Sequence, residues 1–471
     1  MIEMKIWVNK VKETTKTLEY KNSGNINIDI KYISNLSSNI REAWYKLGVK
    51  QLQPIYEDLF LLSLVIFAVD KRVPRSVFPD AWTRRIQISI PMIELDAWSS
   101  VKDDVDKMLS YLSGDEWNVN FRACESDSKY KSQRKREAHR PNYLNSIEAV
   151  SLFSGGLDSF CGAYKLLSGN KPTLFVGYQE YGPLKGLQKE LIENGPLKGL
   201  QKELIESIHN EYPECFCDLL SFTAVARSLI LSNDEKLESE NTSRSRSFLF
   251  LCAAITLASI VGDEIPVYIP ENGFIGLNLP MTPGRLGSCS TRTTHPHFLR
   301  MFNSLLSKIG IKHQIINPYA YSTKREMVEQ FKDIHSFCQN YHKTISCSHP
   351  CNGRWEGYSI PKNCGYCYPC LIRRSSLLDL DLENESYGID ILETSITKNS
   401  TEAKRSDLED LLSSIISANE STDNELKRRI AMTGKLSSEE IERFLRLYKS
   451  TICDLKQLLI RNNDYARLIG E

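Results

Sequence analysis

Ser154-Gly-Gly-Leu-Asp-Ser159 sets two hydroxyls, two glycines and a carboxylate within six residues, directly after a short apolar run and directly before a helical pattern. That combination suits the binding of a phosphate chain. Gly155 and Gly156 carry no Cβ, so the backbone can turn tightly and lie against a ligand. The free N–H groups at the start of the helix, from Leu157 onward, face that turn, and the helix dipole favours an anion there. Ser154 and Ser159 add hydroxyl donors. Asp158 cannot donate to a phosphate and is suited instead to hold Mg²⁺. No Gly-x-x-x-x-Gly-Lys-Ser/Thr motif occurs, so no lysine of that kind reaches a γ-phosphate. The loop therefore suits recognition of pyrophosphate as a unit, as needed by an enzyme that splits ATP between its α and β phosphates.

Cysteines supply a second centre. Five of the thirteen lie within 24 residues: Cys347, Cys351, Cys364, Cys367 and Cys370. Cys364-Gly-Tyr-Cys367-Tyr-Pro-Cys370 has C-x₂-C-x₂-C spacing, which bends a chain around one ion, and thiolates are the preferred structural ligands of Zn²⁺. A fourth ligand must come from upstream, with Cys347, Cys351 and His349 as candidates. Four protein ligands would close the site and leave no metal-bound water for catalysis. An iron–sulfur cluster is the competing reading, but a ferredoxin-type run needs a cysteine where Arg374 stands. An odd cysteine count argues against a disulfide framework.

Around these centres, Arg244, Arg246, Arg292 and Lys324 are candidates for phosphate or carboxylate contacts. Arg373 and Arg374 could complement ligand charge, and Glu271, Asn272 and Asn278 could read the edge of a base. The elements that must position them are legible in outline. Ile147–Phe153, Leu174–Gly177, Pro266–Ile269 and Lys312–Ile316 read as short buried strands alternating with helices, the pattern of a parallel α/β sheet. Before them, residues 1–124 look β-rich, with period-two runs at Met4–Val8, Ile26–Tyr32, Ile86–Ile90 and Trp117–Phe121. Leu59–Val69 is apolar on all sides and fits a central strand or a buried helix. Residues 125–146, with the basic run Lys129–Arg136, read as a solvated linker, or else as a contact for an acidic partner or nucleic acid. Gly182–Glu193 recurs as Gly195–Glu206, a tandem copy expected to form two short helices or a surface bulge with no catalytic role. Past Arg374 the chain is polar and helical, with a capping box at Ser437–Glu440.

The loop resembles those of the PP-loop ATP pyrophosphatases, and the wider pattern is similar to the 7-cyano-7-deazaguanine synthase (QueC) family. Val176-Gly-Tyr178-Gln179, Ser245-Arg246-Ser-Phe248, Thr294-His295-Pro-His-Phe298 and Thr323-Lys324-Arg-Glu326 carry the likeness, together with the cysteines, over roughly residues 147–375. His295 stands where that family has Arg. Length and layout resemble the QueC-like branch found in bacterial antiphage clusters of the Qat type. The resemblance implies a Rossmann-like sheet of the adenine nucleotide alpha hydrolase kind and domains at 147–345 (ATP pyrophosphatase), 346–375 (zinc-binding) and 376–471 (helical extension). It implies ATP, Mg²⁺ and Zn²⁺ as ligands and Cys347 as the fourth thiolate. Tyr178 would lie at the nucleotide, Lys324 and Arg246 would join Asp158 and Ser159 in catalysis, and His295 would face the substrate. The implied activity is adenylation of a 7-deazaguanine carboxylate and transfer to an amine, with protein partners from a defence cluster. A PP-loop tRNA-thiolating enzyme and a non-catalytic nucleotide sensor remain as alternatives.

Composition bounds these expectations. The 471 residues suffice for roughly three domains. Lys plus Arg and Asp plus Glu both number 59, so bulk charge drives no nucleic-acid or membrane binding, although a local patch could. The longest apolar runs fall short of the ~20 residues of a membrane span. The N-terminal residues show no signal-peptide core, so a soluble cytoplasmic protein is expected.

Overall fold

The computed structural model describes residues 3–10, 26–30, 35–124, 130–180, 196–229, 236–240, 244–281, 292–348, 362–382, 385–393 and 402–470. Its strands, in chain order, are β1 (Met4–Asn9), β2 (Ile26–Asp29), β3 (Leu36–Ser38), β4 (Arg85–Met92), β5 (Glu116–Ala123), β6 (Ala149–Leu152), β7 (Thr173–Glu180), β8 (Cys217–Ala226), β9 (Val267–Tyr268) and β10 (Ile315–Ile316).

A four-stranded sheet runs β2-β1-β4-β5, parallel throughout. The alternating residues Ile6, Val8, Ile26, Ile28, Ile86, Ile88 and Ile90 turn into its core. Parallel neighbours need crossovers, and helices supply them. The N-terminal region, expected to be β-rich, is thus mixed α/β, with helices at Ile40–Lys46, Pro54–Arg72, Leu95–Ser100 and Lys102–Ser113.

Leu59–Val69 is the middle of a helix, buried from Tyr56 to Asp70. Its carboxylates are compensated, as buried charges must be. Glu57 pairs with Lys10. Asp58 accepts the N–H groups of Ile93 and Glu94. Asp70 pairs with Arg84 at 2.7 Å, and Arg84 also binds Asp115 at 2.5 Å. The helix packs on the apolar helix Arg246–Val261 of the second layer. β3 crosses over to pair antiparallel with β8, and one continuous hydrophobic core joins the two sheets.

Residues 130–146, expected as a solvated linker, are pinned to this body. Tyr130 is buried, donating its N–H to Glu57 and its O–H to the Ser38 carbonyl. Arg134 pairs with Glu42, and Arg140 donates to the carbonyls of Ile260 and Val261 at a helix end. Lys129 lies outside the described residues.

The second sheet runs β10-β9-β6-β7-β8-β3, with every pair parallel except β8 with β3. The chain leaves β6 for β7 on one side, while β9 lies on the other. The order therefore reverses between β6 and β9, and the carboxyl ends of these strands mark a switch point, the kind of place where open α/β sheets form a ligand crevice. The turns at residues 153–156 and 269–272 both follow strands that end there.

The C-terminal helices Glu402–Glu420, Asp423–Ala431, Ser438–Leu459 and Asn463–Leu468 pack on the body through their own core. Ser437 and Glu440 make the expected capping box. The ring of Tyr448 stacks on Phe274 with centroids 5.7 Å apart. Gly273 has no room for a Cβ, which would lie 2.3 Å from the Ala320 carbonyl and 2.5 Å from Leu447. Among the described residues, no helix is long and apolar enough to cross a membrane.

Candidate functional site

The Gly-rich loop joins β6 to the helix Leu157–Ser168 at the switch point. Gly155 has a φ of 82°, the left-handed region that glycine enters freely. Gly156 is the N-cap residue. The loop is tied from three directions. The Gln201 amide donates to the Ser154 carbonyl at 2.9 Å. The Ile345 N–H donates to the Gly155 carbonyl at 3.0 Å. The Leu157 N–H donates to Ser346 Oγ at 3.1 Å. Within the loop, Ser154 Oγ accepts from the Gly156 N–H, and Ser159 Oγ donates to the Gly156 carbonyl. A Cβ at residue 155 would lie 3.0 Å from Gln201 Cγ. Gly155→Ala should therefore lose about 1–2 kcal/mol of stability from the left-handed strain alone. A denaturation midpoint equal to the parent's would show that the turn relaxes freely.

Asp158, on the first turn of that helix, is buried. Its Oδ1 accepts from Lys324, and its Oδ2 accepts from the backbone N–H of Asn272 at 3.1 Å and the Asn272 amide at 2.6 Å. Lys324 opens the helix Lys324–Glu329 behind a Thr323–Glu326 capping box. Asn272 caps the helix Gly273–Leu277 through its Oδ1. Burial by itself would raise the Asp158 carboxyl, but Lys324 and the hydrogen bonds from Glu271, Lys324 and Asn272 outweigh it and hold the group well below the usual carboxylate range. Burial, followed by the charge on Asp158, drives Glu271 well above its range. The hydrogen bond between the two carboxyls thus favours the ionised form of Asp158, which pairs with Lys324, and disfavours that of Glu271. Both oxygens of Asp158 already face donors, one of them Lys324, so Mg²⁺ could bind this carboxylate only by displacing them.

The switch point thus gathers Ser154–Ser159, Glu271, Asn272 and Lys324. The other expected residues have contacts of their own. Arg244 is buried under the N-terminal region, where its N–H reaches Asp70, its guanidinium donates to the Ser113 carbonyl at 2.6 Å, and Trp82 lies beneath it. Arg292 donates to the Tyr111 carbonyl and stacks on that ring. Asn278 is the left-handed residue ending the helix Gly273–Leu277. Arg246 is exposed at the start of its helix, and Tyr178 packs its ring on Phe250 at 4.3 Å. Arg373 and Arg374, expected to complement ligand charge, pair with Glu385 and Asp390 instead.

His295 is a helix cap. Its Nδ1 accepts the His297 N–H, which places the proton on Nε2 facing Thr433 Oγ1 at 3.0 Å. Burial, then positive neighbours led by His297, push its pKa down to about 3. The unfolded chain takes up a proton below about pH 6.5 while the folded chain does not, so stability is lost as pH falls through that window. Between pH 7 and pH 5 the parent should lose about 2 kcal/mol more than His295→Asn. Equal losses in denaturant titrations would reject this.

The four sulfurs of Cys347, Cys364, Cys367 and Cys370 lie within 4.8 Å of one another. The Cys347–Cys367 and Cys364–Cys370 separations are 3.8 and 3.9 Å. A tetrahedral ion with Zn–S bonds of about 2.3 Å has S···S edges of about 3.8 Å, so the set fits a single ion such as zinc. A cluster of several irons spreads its thiolates over separate metal atoms, which these spacings do not suit. Gly365, with a φ of 89°, makes the tight turn between the first two thiols of the C-x₂-C-x₂-C run. Cys367 caps the helix Tyr368–Leu377, and Cys370 sits in its first turn. Cys351 and His349 lie outside the described residues.

Comparisons of the chain with models of protein families, with curated proteins and with solved structures found no match. The geometry of the site therefore carries the functional reading.

Thr344-x-Ser346-Cys347 resembles the segment in which the synthases place their fourth thiolate, whereas nothing in the sequence marks Gln201 or Asn363. Gln201 lies in the second tandem copy, which forms part of the 16-residue helix Pro196–Glu211 and buries Leu204 and Ile205, not a surface bulge. The first copy lies outside the described residues. Because the two copies are identical over twelve residues, a chain lacking residues 182–194 keeps the same helix sequence and the same Gln. Its stability should stay within about 1 kcal/mol of the parent, the scale of loop-closure terms. Loss of folded protein on that deletion would show that the first copy makes contacts of its own.

Proposed function

We propose that the chain is a PP-loop ATP pyrophosphatase with a Rossmann-like sheet, of the 7-cyano-7-deazaguanine synthase type, that adenylates a carboxylate and passes the acyl group to an amine. The observation that carries this reading is the position of the Ser-Gly-Gly-Leu-Asp-Ser loop. It stands between a central parallel strand and a 12-residue helix, at the point where the strand order reverses, with a buried lysine beside it. On giving up their present acceptors, the loop's amides and hydroxyls would receive the departing pyrophosphate, stabilising charge as it develops. Lys324, held by Asp158, is the cation placed to move onto a phosphate oxygen. In this reading an acid of the 7-deazaguanine class attacks the α-phosphate, pyrophosphate leaves, and the acyl-adenylate meets ammonia or a partner's amine. Zinc, when bound by the four thiolates, would serve structure alone. The thiolation alternative needs reactive cysteines, whereas the four clustered thiols are spaced to suit a single ion.

The test is mass spectrometry of the full-length protein with ATP and 7-carboxy-7-deazaguanine, with and without ammonia. AMP and pyrophosphate formed only when the acid is present support the reading. Hydrolysis to ADP, or no turnover with any carboxylic acid, overturns it. Rapid formation of the amide with ammonia alone, or of the nitrile where a second ATP activates the amide oxygen for loss of water, would remove the need for a protein acceptor.

A further inference from the structure

The four-cysteine centre and the Gly-rich loop are not separate features. Residues 344–347 run between them. Ile345 N–H binds the Gly155 carbonyl at 3.0 Å. Ser346 Oγ accepts the Leu157 N–H, the first amide of the helix that opens at the loop. The next residue, Cys347, is a member of the thiol set. A second path starts at Cys370. One turn further along the same helix, the fully buried Arg373 donates to Thr344 Oγ1 at 2.6 Å, to Ser346 Oγ at 3.4 Å and to the Tyr341 carbonyl at 2.8 Å. Glu385 neutralises it from the other side at 2.6 Å. Asn363, adjacent to Cys364, accepts the Ser346 N–H at 3.0 Å and donates to the Thr344 carbonyl at 3.2 Å. Three of the four thiol residues are thus linked, through a neighbour or one helical turn, to the same short strap. The strap holds the loop at both of its glycines, since a Cβ on Gly156 would meet the Ile345 carbonyl at 3.3 Å and Ser346 Oγ at 3.4 Å.

We infer that the cysteine centre sets the shape of the Gly-rich loop: Ser346 and Arg373 are positioning residues through which an ion bound by the four thiolates fixes the amides of Gly155–Leu157. The physical reason is connectivity. An ion on the four sulfurs fixes Cys347 against Cys364, Cys367 and Cys370, and so fixes the strap between Tyr341 and Cys347. Without it, four neighbouring thiols have no shared centre, and the strap keeps only its own hydrogen bonds. The centre would then act on the ligand without touching it. That the loop's ligand is a nucleotide rests on the reading proposed above; the mechanical link does not.

The experiment uses the full-length protein, as purified with its metal and after chelation, and the Ser346→Ala variant. Metal content is read by mass spectrometry, amide hydrogen exchange is read on the peptide covering residues 153–160, and Mg·ATP binding is read by calorimetry. Chelation should raise exchange in that peptide and weaken Mg·ATP binding. Ser346→Ala should keep its metal yet still raise exchange there, and should lower affinity by roughly threefold to tenfold, the scale of one hydrogen bond. Unchanged exchange at residues 153–160 after verified metal loss would overturn the inference. So would Ser346→Ala exchanging like the parent. If the metal-loaded parent does not bind Mg·ATP, the nucleotide reading fails, while the exchange arms still decide whether the centre shapes the loop.

Discussion

Asp158→Ala is expected to be the most damaging single change at the switch point, in two separable ways. The Asp158 carboxylate is the buried partner of Lys324, with side-chain exposures of 10% and 7%. Removing one partner strands a charge away from water and should cost about 3 kcal/mol or more. If the chain adenylates an acid as proposed, the same change should lower AMP formation by roughly a hundredfold to a thousandfold, because Lys324 loses the group that aims it. Adding Lys324→Met separates the two effects. The double variant should regain most of the stability, since no buried charge remains, and none of the activity. Urea midpoints and single-turnover AMP release are the measurements. A single variant as stable as the parent would mean that Lys324 finds solvent. Retained activity would mean that the carboxylate takes no part.

The second large effect is on the cysteine centre. Cys370→Ser removes a thiolate whose sulfur is buried and 3.9 Å from Cys364. Metal content should fall from one ion per chain to near zero, a larger loss than the 10–100-fold that follows removal of a supporting hydrogen bond alone. Because structural metal binding is folding free energy, the helix Tyr368–Leu377 and the contacts of Arg373 should loosen together, read as new protease cleavage between residues 341 and 377. Cys347→Ser should behave like Cys370→Ser, whereas Cys351→Ser should keep the metal. The reverse pattern would move the fourth ligand to Cys351.

What could be read from sequence was local. The Gly-rich loop is six contiguous residues, and three of the thiols fall within seven. Alternation at Ile86, Ile88 and Ile90 marked a strand because one face of that sheet is core. Leu59–Val69 could not be assigned because burial on all sides erases the period that separates helix from strand. The long-range contacts were invisible for a different reason. Leu157 meets Ser346 across 189 residues and Asp158 meets Asn272 across 114, and such pairs exist only once the sheet is assembled. Arg244 illustrates the same limit. Its charge suggested an anionic ligand, but the guanidinium donates to the Ser113 carbonyl, and Asp70 accepts the backbone N–H of the same residue, both on distant segments.

The contact of Leu447 and Tyr448 with the helix that Asn272 caps has a consequence for biosynthesis. Residue 447 follows residue 272 by 175 positions, so at ribosomal speeds it emerges roughly ten to thirty seconds later. Until then the wall that presents Asn272 to Asp158 lacks its backing. A nascent or prematurely stopped chain can therefore complete its parallel strands while the contact between Asn272 and Asp158 still lacks this support.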